Sequence, residues 1–283
     1  MIHIVVCIKQ VPDSAQIRVH PVTNTIMRQG VPAIINPYDL YALEEALRIK
    51  DRFGGFVTVI TMGPPQAENA LRKALSFGAD DAILVTDRAF AGADTLATSF
   101  ALASAIRQIE KNMPVDLVFC GKQTIDGDTA QVGPGVAKRL NLELLTYISS
   151  IVSVNTGKRE IVVQRRSEGG VQVLKTRLPS LITMLEGSNE MRFATMPNMI
   201  RAARTAVKRW DRVAAGIEDI SKIGLKGSPT VVSKVFAPIP KTVKAEIIQT
   251  QSNEPDDLAA ALLMKMFTQF PHVRAELEKS KTV

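Results

Sequence analysis

The chain has 283 residues, 46% of them apolar and 22% charged, and a formal net charge of +7. This balance is ordinary for a soluble globular protein with a real core. No run approaches the roughly 18 apolar residues that span a bilayer, so direct membrane insertion is excluded. The opening "IHIVVCI" is too short for the apolar region of a signal peptide and has no cleavage-type sequence after it, so the default expectation is cytoplasmic. Cys7 and Cys120 both sit inside apolar runs and read as reduced core residues rather than a disulfide, and no zinc spacing occurs.

The first half alternates two kinds of segment. "HIVVCIK" (3–9) reads as a buried strand, and "NPYDLYALEEALRIKDRFGG" (36–55) carries Leu40, Leu43, Ala46 and Leu47 at helical spacing before a Gly-Gly stop. "FVTVITM" (56–62) predicts a strand, "PQAENALRKALSFG" (65–78) a helix ending at Gly78, and "AILVT" (82–86) a strand. "TLATSFALASAIRQIEK" (95–111) predicts a helix capped by Asp94, and "DLVFCG" (116–121) a fourth strand that leads through a polar loop into a helix reaching about residue 140. Continuous apolar strands separated by helices imply a mostly parallel sheet covered on both faces. "REIVVQRRSEGGVQVLKTRL" (159–178) then reads as an antiparallel hairpin around Gly169-Gly170, and "PSLITML" (179–185) as a return to the sheet.

After residue 190 the rhythm stops. "RFATMPNMIRAARTAVKRWDR" (192–212) carries six cations against Asp211 and reads as a basic helix; "KGSPTVVSKVFAPIPKT" (226–242) is punctuated by Pro and Gly; "EPDDLAAALLMKMF" (254–267) begins a terminal helix. The expected fold is therefore α/β: three layers, a mostly parallel, Rossmann-like sheet with helices on both faces, an antiparallel hairpin, and a C-terminal extended arm plus helix. Residues 1–190 form the nucleotide-binding part, and 191–283 the part that docks onto another subunit, because the arm's apolar residues have no evident core of their own.

In such sheets ligands bind beyond the carboxyl ends of the strands. The loops at that edge are "KQVPDSAQ", "MGPPQ", "DRAFAGADT" and "GKQTIDGDTAQVGPG", and two of them deliver the chain into helix starts at Asp94-Thr95 and Asp128-Thr129. Free N–H groups at a helix start suit phosphate, and glycines such as Gly121 and Gly127 let backbone approach a ligand. Any one of these loops taken alone is as well explained as a turn; four on one edge point to a nucleotide site. Sharper motifs are missing. "GKQT" lacks the upstream glycine of a P-loop, no G-x-G-x-x-G follows the first strand, and the twelfth position from Asp126 is Ala137, not an EF-hand glutamate. His3, His20 and His272 lie far apart in sequence, and no G-x-S-x-G occurs. No residue stands out as catalytic. The site looks built to bind.

"VVCIKQVPD", "NPYDLYALEEALRIK", "TMGPPQAE", "GADTLATS", "GKQTIDGDTAQVGP" and "RFATMPNMIRA", taken in order, resemble the beta subunit of an electron-transferring flavoprotein over nearly the whole chain. The resemblance implies a heterodimer with an FAD-carrying alpha subunit and an adenine nucleotide in the beta subunit. Carried over by position, it implies contacts from Cys7 and Lys9, from Asn36, Pro37, Tyr38 and Asp39, and from Met62 and Gly63. Asp94 and Thr95 are further additions. The phosphate cradle would be Gly121, Lys122, Gln123, Thr124, Ile125, Asp126, Gly127, Asp128, Thr129, Ala130, Gln131, Val132, Gly133 and Pro134.

Family members that hold AMP carry a heavier D-D-D-x-N-Q-T in the fourth loop. Here Gly127 stands for an acidic side chain and Ala130 for an amide, a form similar to the electron-bifurcating members, which hold a second FAD reduced by NADH. The resemblance thus implies FAD here, with AMP as the alternative. It also implies electron delivery to the alpha-subunit FAD, a flavin dehydrogenase or quinone oxidoreductase, and a low-potential acceptor such as ferredoxin. "ATMPNM" matches the family's recognition loop, placing the partner anchor at Met196 beside Pro197 and Met199. Two readings of other classes stay open. An ATP-using enzyme of a related fold would draw on Lys9, Lys122 and Asp128, and a nucleic-acid module would draw on the basic helix, whose densest basic run, 201–212, has Trp210 alone as an aromatic.

Overall fold

The computed structural model describes every residue except 14–17, 20–25, 28–31, 232–244, 253 and 281–283. The chain forms two compact units, Met1–Ala237 and Pro238–Val283. The ends of the first loop and most of the Pro- and Gly-punctuated stretch lie outside the described residues.

In the first unit, β1 (Ile2–Cys7) is followed by three short strands, β2 (Gln10–Pro12), β3 (Arg18–Val19) and β4 (Ile26–Met27), and by β5 (Ala33–Ile35). Then come α1 (Pro37–Phe53), β6 (Gly55–Met62), α2 (Glu68–Phe77), β7 (Asp81–Val85), α3 (Thr95–Glu110), β8 (Leu117–Gly121) and α4 (Val132–Leu140). β9 (Glu143–Asn155), β10 (Glu160–Ser167), β11 (Gly170–Arg177), β12 (Ser180–Met184), α5 (Met196–Arg204) and β13 (Lys208–Trp210) complete it. The second unit contains α6 (Pro255–Gln269) and α7 (Pro271–Ser280), divided at a proline that starts the second helix.

One nine-stranded sheet carries the architecture, in the order β11-β10-β9-β12-β8-β1-β6-β7-β13. Every neighbouring pair from β9 to β13 is parallel, and only β9-β10-β11 run antiparallel. The strands of the centre are buried along their whole length because both faces are covered. Alternate residues of β1 divide between two cores. Ile4 and Val6 join Leu43 and Leu47 of α1 and Leu71 and Leu75 of α2; Val5 and Cys7 join Leu102 and Ile106 of α3 and Val136 of α4. The three-layer α/β fold expected from the alternation is the fold observed. His3 is a core residue, bonded to Thr58 Oγ1 at 3.0 Å and to the carbonyls of Met113 and Pro114.

Three expectations need correction. α4 starts at Val132, not at Asp128-Thr129, because Asp128 and Ala130 take left-handed φ values of 50° and 54° and the chain must turn twice before a helix can begin. The basic stretch is not one helix. α5 ends at Arg204, and Lys208–Trp210 extend the sheet beside β7, where Lys208 pairs with Asp81 and Arg209 with Glu68. These cations are consumed within the fold. β9 went unread in the sequence because its burial is irregular along thirteen residues and obeys no single period. Among the described residues, no helix is long and apolar enough to cross a membrane.

Candidate functional site

β1 lies between β6 and β8, so the chain builds outward in one direction through β6 and β7 and then returns to the other side of β1. The carboxyl ends of β1 and β8 are therefore a topological switch point, where loops diverge and leave a crevice. Cys7 and Cys120, in register on these strands, mark its floor; both are free thiols. The neighbouring Cys7 thiol and burial push the Cys120 thiol up, so it is held protonated.

Asp39, in the first turn of α1, clasps the two strand ends. Its Oδ2 accepts from the Lys9 N–H at 2.7 Å and its Oδ1 from the Gly121 N–H at 3.1 Å. Burial outweighs these bonds and raises its pKa to about 7. Gly121 is required by this contact, since a Cβ there would lie 2.5 Å from Asp39 Oδ1 and 2.6 Å from the Tyr38 carbonyl carbon. Asn36 is brought alongside by the β2–β5 pair, its N–H donating to Lys9 O at 2.8 Å. Fully buried, it donates to Gln123 O at 2.8 Å and accepts from the Ile125 N–H at 3.1 Å, fixing the fourth loop to α1.

The loop holds itself by further bonds. Gln123 Nε2 donates to Asp128 Oδ1 at 2.8 Å, and the Asp128 N–H donates to Thr124 O at 2.9 Å. Lys9 Nζ lies 2.8 Å from both oxygens of Asp126. Partial burial pulls the Asp126 carboxyl up, but hydrogen bonds from Lys9 and Thr124 win and hold it below its ordinary value. Thr95 Oγ1 donates to Gln131 Oε1 at 2.8 Å, tying the starts of α3 and α4.

A cleft of about 230 Å³ opens between these parts. Of the residues expected at the site, it is lined by Cys7, Lys9, Asp39, Met62, Gly121, Lys122, Gln123, Thr124, Thr129, Ala130, Gln131, Val132 and Gly133. Asn36, Pro37, Tyr38, Gly63, Asp94, Thr95, Ile125, Asp126, Gly127, Asp128 and Pro134 stand behind or beside this wall. Asp94 is engaged as a cap, accepting from the N–H groups of Leu96 and Ala97 and from Thr230. Ile8, Ala93, Thr98, Leu102 and Cys120 line the cleft without having been expected. Thr98 and Leu102 share one face of α3 at i, i+4 spacing, a signal the sequence did contain.

Chemically the cleft offers two ammonium groups, three threonine hydroxyls, side-chain amides and, at the start of α4, the N–H groups of Val132 and Gly133, over a floor of thiols and apolar side chains. That donor set fits a nucleotide: apolar walls for a ring, cations and amides for phosphate. Among the described residues, no group of three or more His, Cys, Asp or Glu side chains is placed to hold a metal.

Met196, Pro197 and Met199 lie on α5, not in the cleft. Thr195 caps that helix, and Met196 is 66% exposed and Met199 41%. The segment leading in is clamped by Arg192, whose Nε and Nη2 donate to Glu44 at 2.9 and 3.1 Å and whose Nη1 donates to Asp51 at 2.7 Å. Two separate surfaces thus emerge, a cleft and an exposed methionine-bearing helix start.

Comparison with known proteins gives the family. A family model described as "Electron transfer flavoprotein domain" matches residues 23–215. "Protein FixA" of Azotobacter vinelandii is 71% identical over 277 residues, covering 98% of this chain and 99% of that protein. "Protein FixA" of Sinorhizobium fredii is 61% identical over 282 residues, covering 99% of each. "Electron transfer flavoprotein subunit beta" of Clostridium acetobutylicum is 48% identical over 233 residues, covering 82% of this chain and 86% of that protein.

Proposed function

This chain belongs to the electron transfer flavoprotein family as a beta-type subunit, and from that premise we propose that its cleft binds FAD within a heterodimer that oxidises NADH and bifurcates the electrons. One path leads to the alpha-subunit FAD and onward to a flavin dehydrogenase or quinone oxidoreductase, the other to a low-potential acceptor such as ferredoxin. When bound, the FAD would supply hydride acceptance and one-electron transfer; the protein binds, orients and shields.

The observation that carries this reading is the wall beside the phosphate position. Ala130 lines the cleft with a single methyl group, and at Gly127 an added Cβ would meet only Thr124 Oγ1, at 3.3 Å. Of these two, Ala130 lines the cleft, and its small side chain supports a path for a diphosphate to continue outward. Lys9, Lys122 and the amides at the start of α4 are the groups to hold it. Asp39 and Asn36 act one step back, holding the strand ends and the loop in place.

The second reading is AMP as a structural ligand. What favours it is volume: about 230 Å³ is below the roughly 300–1,000 Å³ usual for a small-molecule site. Acid release and chromatography of the nucleotides from the purified complex decide between them. Two FAD per heterodimer supports the first reading, and one FAD with one AMP replaces it with the second.

The exposed start of α5 is the surface we assign to the partner dehydrogenase, with Met196 as a flexible thioether anchor. Within residues 191–283, the exposed parts outside the sheet strand Lys208–Trp210 are assigned to partner and alpha-subunit docking. Exposed Ile247, Leu262, Leu263 and Met264 of the second unit support that role. The two free thiols fit a reducing compartment, the cytoplasm.

A further inference from the structure

The pairing of β9 with β12 breaks at one point. Leu145 faces Ile182 and Ile148 faces Met184, so Thr146 and Tyr147 together stand opposite Thr183 alone. The result is a β-bulge, a device that re-aims a side chain. Tyr147 takes a left-handed φ of 59°, an outlier for so bulky a residue. Its N–H donates to Thr183 Oγ1 at 3.3 Å, which holds the turn. Its ring remains 41% exposed, so burial does not offset the strain. Backbone strain of this kind clusters at ligand-binding sites, which makes Tyr147 a candidate for one.

The re-aimed ring lies beside a residue of the cleft wall. Lys122 follows β8, is anchored by its N–H to Met184 O at 2.9 Å, and lines the cleft. Its Nζ lies 5.8 Å from the centroid of Tyr147 and 5.5 Å from that of Tyr38, which stands in the first turn of α1. The nearby Glu186 is engaged by Arg166 at 3.1 Å and is also within reach of the Lys122 charge, which helps hold its carboxyl below the ordinary value.

We propose that Tyr147, Lys122 and Tyr38 form a ring-binding platform at the mouth of the cleft. It receives the second ring system of a dinucleotide whose adenylyl half occupies the cleft. The inference deepens the FAD reading and rests on it. A cleft of about 230 Å³ cannot enclose a ligand with two ring systems, so the second ring lies on adjoining surface. Lys122 lines the cleft and also has its ammonium within 6 Å of two aromatic ring centroids. Its ammonium can pair with the diphosphate while a planar heteroaromatic ring stacks against Tyr147.

The test measures affinities for FAD, ADP and AMP at the beta site of the complex with its alpha subunit, in wild type and in Tyr147→Phe, Tyr147→Ala and Tyr147→Gly. Glycine relieves the left-handed strain, so that variant keeps its fold. The expected result is a roughly tenfold loss of FAD affinity in the Ala and Gly variants, about 1.4 kcal/mol, with ADP and AMP unchanged and Phe like wild type. Equal FAD affinity across all four proteins overturns the platform while leaving FAD in the site. A wild-type site that binds AMP and does not bind FAD overturns the FAD reading beneath it, and the platform with it.

Discussion

Lys9 Nζ lies 2.8 Å from both carboxylate oxygens of Asp126, joining the loop after β1 to the loop after β8 across 117 residues of sequence. Each partner is partly exposed, at 46% and 33%, so the pair adds little to stability, on the order of 0–1 kcal/mol. Its consequence is positional: the ammonium group is held at the rim of the cleft. Lys9→Met is expected to lower nucleotide affinity about tenfold, in line with a lost charge-assisted bond. The melting temperature should move by no more than about 4 °C. Calorimetric titration with FAD and AMP checks the first, and a thermal melt the second.

Asp39 gives the nucleotide-free protein a pH signature. Its folded pKa of about 7 lies above the ordinary 3.8, so between these values the folded state binds the proton more tightly than the unfolded chain. Stability from this group is greatest below pH 4 and is lost as pH rises through about 7. Asp39→Asn should flatten the dependence of unfolding free energy on pH between about 4 and 7. An unchanged slope in denaturant titrations across that window would contradict the assignment.

Gly121 and Gly127 occupy one loop and should respond differently. A Cβ on Gly121 would lie 2.6 Å from the carbonyl carbon of Tyr38, a backbone atom that cannot yield cheaply. Gly121→Ala is expected to cost about 1–3 kcal/mol and to empty the site. Gly127→Ala meets only Thr124 Oγ1 at 3.3 Å, and its melting temperature should stay close to that of wild type. Parallel melts and nucleotide contents of the two variants separate the outcomes.

Arg192 and Met196 separate structure from docking. Glu44 is buried and bound bidentately by Arg192, so Arg192→Met leaves a buried carboxylate with Arg48 and the backbone N–H of residue 192 as its remaining partners and should cost about 3 kcal/mol. Met196→Ala removes an exposed side chain and should change stability by less than about 0.5 kcal/mol while reducing turnover with the partner dehydrogenase. Unchanged turnover would remove Met196 from the docking surface.

Much of the fold was legible in the chain. Strands such as Leu117–Gly121 and helices such as α3, with Asp94 as its cap, are written in local pattern, because apolar runs and caps act within a few residues. Other elements were not. The irregular β9 acquires its shape from the bulge opposite Thr183. The Lys208–Trp210 segment looked like the end of a basic helix and became a strand because β7 offered an open edge and Asp81 and Glu68 offered carboxylates.

The sequence by itself determined the layer architecture, the loops that gather at one edge of the sheet, and the family to which the chain belongs. These depend on residue type and short-range order. Only the tertiary structure decided which side chains face the cleft and which hold its walls. Asn36 and Asp39 sit in the same short motif, yet Asp39 lines the cleft while Asn36 fixes the loop behind it. Likewise Tyr147 on β9 and Lys122 just after β8 come together where a bulge turns the ring toward the ammonium group. Those assignments arise from packing between segments far apart in the chain, where neither propensity nor periodicity acts.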